Sequence, residues 1–515
     1  MRIKNSIINI FAGLGNQIVI TLLSFISRTV FINSLGIEYL GLNGLLTNIL
    51  SMLTLAEAGI GASIIYSLYK PVAENDQEKI NVLMKLYKKA YFIIALIVLL
   101  LGLSLMPFLG FFIKDSNLEN VNTIYFLFLL NTVAPYFYLH KTSFLNVSQK
   151  SYIVTGAYTI SSIISTCLKI GILYFTKNYI LYLVIDSIVT ITTSVALTYV
   201  VNKMYPFLKN KVLNKLDFET KNKIIKNIKA IVLQNIGNYL VIGTDNIIIS
   251  SFISVAAVGL YSNYNLLIEI CRNFTYQIFN NMYHSIGNLV AIENVERIYS
   301  IYKVYMMLNF WLYSFFSILL LIVIEPFIKI WIGSEYLMSK GVLIILMIIF
   351  YERGLRNAIT TVKTTAGVFH EDRYAPLCQA VINLIASIIL VKYLGIAGVF
   401  IGTLISVLLV PFWTTPYLVF TKVFNKSVNI YYLKYVYYLI IGIGTYFLTN
   451  FICGFIFLND IYSLLLKLII CIVVPNLVYI FIFYKSEEFK YLLDILKNII
   501  GLLLERNRAN KKLMM

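Results

Sequence analysis

Eleven ionisable side chains stand inside long apolar stretches of this 515-residue chain: Arg28, Glu57, Lys169, Asp186, Asp245, Glu269, Arg272, Glu352, Arg353, Arg356 and Lys467. A charge at the centre of a bilayer costs about 2.5–3.5 kcal/mol on the lenient insertion scale, so eleven facing lipid would cost on the order of 30 kcal/mol. Such groups have to face protein or a wet cavity. Arginine suits anion binding there, because its planar fork meets paired oxygens bidentately. The candidate ligand-binding cations are therefore Arg28, Arg353, Arg272, Lys169 and Arg356. The carboxylates Asp245, Glu57, Asp186, Glu269 and Glu352 are candidates for gating or for holding a coupling proton or sodium ion.

Spacing sharpens these readings. Glu269 and Arg272 are three apart, and Glu352 and Arg356 four apart, so each pair can neutralise itself on one helix face. Arg353 is off that face and is the better anion candidate of its cluster. Arg28 sits in the outer third of its span and has snorkelling to the outer headgroups as its bland alternative. Lys169 divides evenly between snorkelling and lining a cavity, while Lys467 fits snorkelling. Glu57, Asp186 and Asp245 have no partner along their own helices, and cations on other helices are open to them.

The elements that position these charges are membrane helices. The chain is 59% hydrophobic and 13% charged, with a mean hydropathy of +0.81. A water-soluble fold would have to expose much of that apolar surface. No segment alternates with the period of a barrel strand, so the expected class is all-α integral membrane. Spans are read at 7–32, 40–66, 90–113, 121–145, 152–175, 179–201, 230–252, 256–286, 305–330, 341–362, 374–392, 395–420, 432–457 and 461–484, which makes about fourteen helices. With the N-terminus inside, 31 Lys and Arg fall on the cytoplasmic side and 5 outside. That asymmetry predicts a multi-pass protein of the bacterial cytoplasmic membrane with both termini in the cytoplasm.

The net charge of +18 is thus mostly topology, and it does not point to nucleic acid. Its densest run, 203–229, reads as a solvated linker attracted to anionic headgroups. Five cysteines at no metal-like spacing predict no metal site, no cofactor and no disulfide framework. The first span is too long for a signal peptide and is expected to stay on the chain. No P-loop is present, so ATP hydrolysis is not expected. Pro135, Pro326 and Pro411 are expected to bend their helices, and Gly398 with Gly402 to serve helix packing.

The basic run marks a midpoint with six helices before it. Arg28–Gly41 reads RTVFINSLGIEYLG and Asp245–Gly259 reads DNIIISSFISVAAVG. With one inserted residue, Asn33-Ser34 falls on Ser250-Ser251, Gly41 on Gly259 and Arg28 on Asp245. This alignment sets the first helix on the seventh, as duplicated bundles require.

Ser24–Gly44, Ala56–Leu68 with the following Tyr69-Lys70-Pro71, Thr244–Tyr264, Gly354–Pro376 and Asn383–Thr403 resemble Wzx-type oligosaccharide flippases of the polysaccharide-transporter group. That group shares a superfamily with multidrug exporters and the peptidoglycan lipid flippase. The resemblance runs along the whole chain. It implies two pseudo-repeated six-helix lobes around a central cavity, residues 1–201 and 230–420. A basic linker over 202–229, two further helices within 421–484 and a basic tail over 485–515 complete the plan. It also implies a substrate, undecaprenyl-diphosphate-linked glycan repeat units moved to the outer leaflet for capsule, O-antigen or similar assembly. Membrane lipid would surround the protein, with the polymerase and glycosyltransferases of the same pathway as possible partners. The diphosphate would need fixed cations in place of lost water. An outer gate between Arg28 and Asp245 is a further expectation, against pairings of Arg28 with Glu57 or of Asp245 with Lys169.

Two rivals remain. An ion-coupled drug antiporter of the same superfamily would favour an acidic cavity, whereas six of the eleven charges named above are cations. A membrane glycosyltransferase or polymerase would carry a large outer catalytic loop, and the outer loops here are short. The chain is therefore expected not to be an enzyme.

Overall fold

The computed structural model describes residues 2–57, 60–114, 118–210, 224–225, 243–368, 371–456, 461–494 and 497. Most of the basic linker and of the C-terminal tail therefore lies outside the described residues. The described chain is helical and contains no strand. In order, the helices are α1 (Arg2–Leu35), α2 (Ile37–Leu53), α3 (Ile60–Glu74), α4 (Gln77–Leu105), α5 (Leu109–Phe112), α6 (Val121–Val133), α7 (Leu139–Val147), α8 (Ser151–Thr176) and α9 (Tyr179–Met204). They continue with α10 over 243–252, α11 (Val255–Ile292), α12 (Val295–Trp331), α13 (Lys340–Thr365), α14 (Ala375–Leu394), α15 (Ile396–Leu409), α16 (Pro411–Lys422), α17 (Asn429–Gly454) and α18 (Ile461–Phe483).

Every span read from the sequence falls on these helices wherever it is described. Among the described residues, nine helices are long and apolar enough to cross a membrane by themselves. The other spans are the informative ones. Span 2 leaves α2 in a 3₁₀ turn, Thr54–Glu57, and is described again from Ile60 as α3. Span 4 is short, because α6 gives way to a 3₁₀ turn at Ala134–Phe137 that contains Pro135. Spans 7, 8 and 10 carry Asp245, the Glu269–Arg272 pair and the Glu352–Arg353–Arg356 cluster. Span 7 is described only from residue 243, while spans 8 and 10 are long helices that carry five of the eleven charges named above.

Two of the three prolines interrupt their helices. Pro411 opens α16 directly after α15, as a residue without an N–H can do at a first helical turn. Pro326 lies within α12, which stays a continuous helix through it. Side-chain caps define several other ends. Asn178 accepts from the backbone N–H of Leu181 at 3.0 Å, and Lys177 before it takes φ +50°, which folds α9 tightly back on α8. Asp76 and Asn294 cap α4 and α12 in the same way.

By contact the chain forms two compact units, 1–262 with 376–402, and 263–375 with 403–515. In the first unit the aligned glycines meet reciprocally. A Cβ on Gly41 would lie 1.9 Å from the carbonyl oxygen of Val255, and one on Gly259 would lie 2.4 Å from that of Ile37. Ile37 and Val255 each stand four residues before their own glycine. The starts of α2 and α11 thus cross at a small-residue contact with the same pattern on both sides. Gly398 and Gly402 also pack as expected, against Leu390 and Ser387 of α14.

Candidate functional site

In the first unit, Tyr182 of α9 gathers the charges. Lys169 reaches across from α8, placing its ammonium 4.8 Å from the Tyr182 ring centre and 2.7 Å from the Asp186 carboxylate. Ser165 donates to the same carboxylate oxygen at 3.0 Å. Tyr182 and Asp186 are one turn apart on α9, and Ser165 and Lys169 one turn apart on α8, so adjacent turns of two antiparallel helices make the group. Arg28 of α1 lies within electrostatic range of the Tyr182 hydroxyl and donates to the carbonyl of Ser262 at 2.6 Å. Lys169 therefore lines a cavity, which settles the even choice left by the sequence, and Asp186 has its partner on a neighbouring helix.

Two cavities share the Lys169–Asp186 wall. The larger, about 450 Å³, is faced by Asn43, Thr47, Ser51 and Thr54 on the span-2 side and by Asn131 and Thr132 of α6. The smaller, about 170 Å³, is faced by the hydroxyls of Ser161, Ser162, Thr190 and Thr193. Amide and hydroxyl side chains at membrane depth can hydrogen-bond a polar ligand such as a sugar, and an apolar core would not carry them without partners.

Glu57 ends the 3₁₀ turn of span 2 and accepts a hydrogen bond from the Tyr91 hydroxyl of α4. Asp245 lies on α10 next to Thr244, which donates to Asn383 of α14 at 3.4 Å. On α14, the Ser387 hydroxyl donates to the carbonyl of Val399 at 3.0 Å.

The second unit repeats the theme around Tyr313 of α12. Its hydroxyl accepts from Thr275 of α11 at 3.2 Å and lies within electrostatic range of both Arg272 and Arg353. A Cβ on Gly354 would fall 1.9 Å from the Tyr313 ring, so glycine there lets α13 close onto α12 and sets Arg353 beside it. Arg272 is hydrogen-bonded to Glu269, as the three-residue spacing predicted. Arg356 is paired with Glu352 at 2.6 Å, and Glu352 is only 2% exposed. That pair serves α13 itself in this arrangement. Glu352 also stands in the wall of an otherwise apolar pocket of about 340 Å³. Lys467 lies on α18 within electrostatic range of the Cys453 and Cys471 thiols.

The structure thus brings together Arg28, Lys169 and Asp186 in one unit, and Arg272, Arg353 and Glu269 in the other. The sequence offered no way to single out the tyrosines at their centres. The chain has 39 tyrosines, and Tyr182 is marked only by its four-residue spacing from Asp186.

Broken helices, charges gathered at membrane depth and polar cavities define a multi-pass membrane transporter fold. The chain belongs to the polysaccharide biosynthesis protein family, whose pattern matches residues 4–283. No curated protein matches it. Among solved structures, the lipid II flippase MurJ in an inward closed conformation is 14% identical and aligns over 94% of this chain and 99% of its own, with a TM-score of 0.64. An inward-facing multidrug resistance MATE family transporter of the MOP superfamily is 15% identical over 78% of this chain and 96% of its own, at a TM-score of 0.59. A MATE transporter of Vibrio cholerae is 16% identical over 82% and 95%, at 0.58. At these identities the likeness is one of fold.

Proposed function

We propose that the protein is a flippase. It carries undecaprenyl-diphosphate-linked oligosaccharide repeat units from the cytoplasmic to the outer leaflet by alternating access, for capsule, O-antigen or similar surface polysaccharide. The observation that carries this reading is the gathering of arginine and lysine at membrane depth around Tyr182 and Tyr313. A diphosphate entering the bilayer loses its hydration and needs fixed cationic donors in exchange. The hydroxyl- and amide-lined cavities beside Lys169 suit a glycan. Arg28, Arg353, Arg272, Lys169 and Arg356 are assigned to the substrate path. Asp245, Glu57, Asp186, Glu269 and Glu352 are assigned to gating or ion coupling, with Asp245 closing on Arg28 at the outer side. Residues 1–201 and 230–420 act as the two moving lobes, with the helices of 421–484 appended.

The protein resides in the bacterial cytoplasmic membrane with both termini inside, next to the glycosyltransferases and polymerase of its pathway. A cysteine introduced at Asn214 is then labelled by an impermeant thiol reagent only after permeabilisation, and one at Asp115 without it. Labelling of the 214 site in intact cells overturns this orientation.

The function is tested in proteoliposomes holding a fluorescent undecaprenyl-diphosphate oligosaccharide in both leaflets, with an impermeant quencher outside. The protein is expected to carry the protected half outward, so that quenching continues beyond that of protein-free vesicles. The MATE-like fold makes a drug antiporter the competing result. Ion-driven accumulation of a cationic dye without glycolipid movement would establish that reading instead.

A further inference from the structure

A chain of hydroxyls runs through the interior of the first unit and ends on the Glu57 carboxylate. Tyr91 donates to Glu57, the Tyr87 hydroxyl converges with that of Tyr91 on the bare Cα of Gly61, and the Tyr87 hydroxyl meets the Ser143 hydroxyl at 3.0 Å. Tyr87 and Tyr91 are each 1% exposed, and their rings meet edge to face at 4.8 Å. A Cβ on Gly61 would sit 2.1 Å from the Tyr91 hydroxyl, so the bare backbone of α3 leaves the room that this hydroxyl occupies. The arrangement differs from that of an ordinary buried tyrosine. Tyr125 is just as buried, but its hydroxyl ends on the carbonyl of Gly102 at 2.8 Å and leads no further.

Both ends of the chain lead somewhere. Glu57 lies three residues from Thr54 in a 3₁₀ turn, where side chains at that spacing stand one above the other. Thr54 lines the 450 Å³ cavity. At the other end, Ser143 is one turn from His140 on α7, in the part of span 4 that charge assigns to the cytoplasmic side. His140 is 6% exposed and its Nδ1 has no hydrogen-bond partner. The titratable groups facing this path are Tyr136, edge-on to Tyr91, then Lys88 of α4 and Lys141 of α7, with Lys209 beyond Lys141. Glu57 is the carboxylate among them.

We propose that this chain is a proton path, and that Glu57 at the 3₁₀ turn of span 2 is a proton-binding site filled from the cytoplasmic side through Ser143, Tyr87 and Tyr91. In one transfer Tyr91 gives its hydroxyl proton to the carboxylate and takes one from Tyr87. Tyr87 takes one from Ser143, and Ser143 is refilled from water at the His140 end. One proton arrives at Glu57 and every hydroxyl is left with one hydrogen. Loading removes the negative charge beside the cavity, and release into the cavity restores it. The inference rests on Glu57 being an ion-coupling group, and its readout needs no cargo, so it stands or falls separately from glycan movement.

The test is time-resolved infrared spectroscopy of the full-length protein in lipid nanodiscs after a pH jump. The wild type is expected to show a protonated-carboxyl band that Glu57→Gln removes. Tyr87→Phe, Tyr91→Phe and Ser143→Ala each keep the fold while interrupting the chain. They are expected to slow the appearance of that band by roughly tenfold or more, the rate equivalent of one lost hydrogen bond. Ser143→Thr, which restores a hydroxyl, is expected to return the wild-type rate. Absence of a band removed by Glu57→Gln, or unchanged rates in all three interrupting variants, overturns the proposal.

Discussion

Arg28→Ala and Arg353→Ala are expected to abolish surface polysaccharide while leaving the protein in the membrane at its normal level. Each cation lies within electrostatic range of a tyrosine hydroxyl, Arg28 of Tyr182 and Arg353 of Tyr313. A charge-assisted hydrogen bond contributes about 1.5–3 kcal/mol, so losing a bidentate pair weakens diphosphate binding by roughly a hundredfold or more. Lysine at either position should restore only part of the activity, since it keeps the charge and loses the planar fork. Full function in both alanine variants would remove these residues from the site. Arg28 is also the position at which the outer gate can be probed. Arg28→Asp combined with Asp245→Arg should lower the outer accessibility of a reporter cysteine relative to either single change. A double variant as open as the singles ends the gate idea.

The second large effect belongs to the crossing of α2 and α11. Gly41→Ala places a methyl 1.9 Å from the carbonyl oxygen of Val255, and Gly259→Ala places one 2.4 Å from that of Ile37. Neither helix backbone can yield without moving the other, and overpacking of this kind costs about 1–3 kcal/mol or more. Each variant should lose thermal stability in detergent. Because both changes open one crossing, the double variant should lose clearly less than the sum of the two. Gly444→Ala is the control, since its Cβ would meet nothing within 4 Å on α17. A loss at Gly41 no greater than at Gly444, or strict additivity of the pair, would show that the crossing is not a tight shared contact.

The glycine crossing shows how far the repeat could be read from the residues. The alignment of Gly41 with Gly259 rests on a short and diffuse match, and small residues alone do not say which helix they admit. The structure supplies the reason for the match, because each glycine admits the backbone that precedes the other. Local spacing was equally informative where partners share a helix. The Glu269–Arg272 and Glu352–Arg356 pairs form as the three- and four-residue intervals require. The prolines act differently by position: Pro135 sits in a 3₁₀ turn and Pro411 opens a helix, whereas Pro326 lies inside the continuous α12.

The sequence by itself determined the environment and the inventory of this protein. Hydropathy made it helical and membrane-spanning, because a lipid-exposed backbone must satisfy its hydrogen bonds internally. The cost of intramembrane charge marked the residues worth attention. Tertiary structure alone decided which of them meet. Lys169 and Asp186 are 17 positions apart, and Tyr91 and Glu57 are 34 apart. Those meetings depend on how neighbouring helices are rotated and staggered, which the packing of many weak apolar contacts sets and no local pattern records.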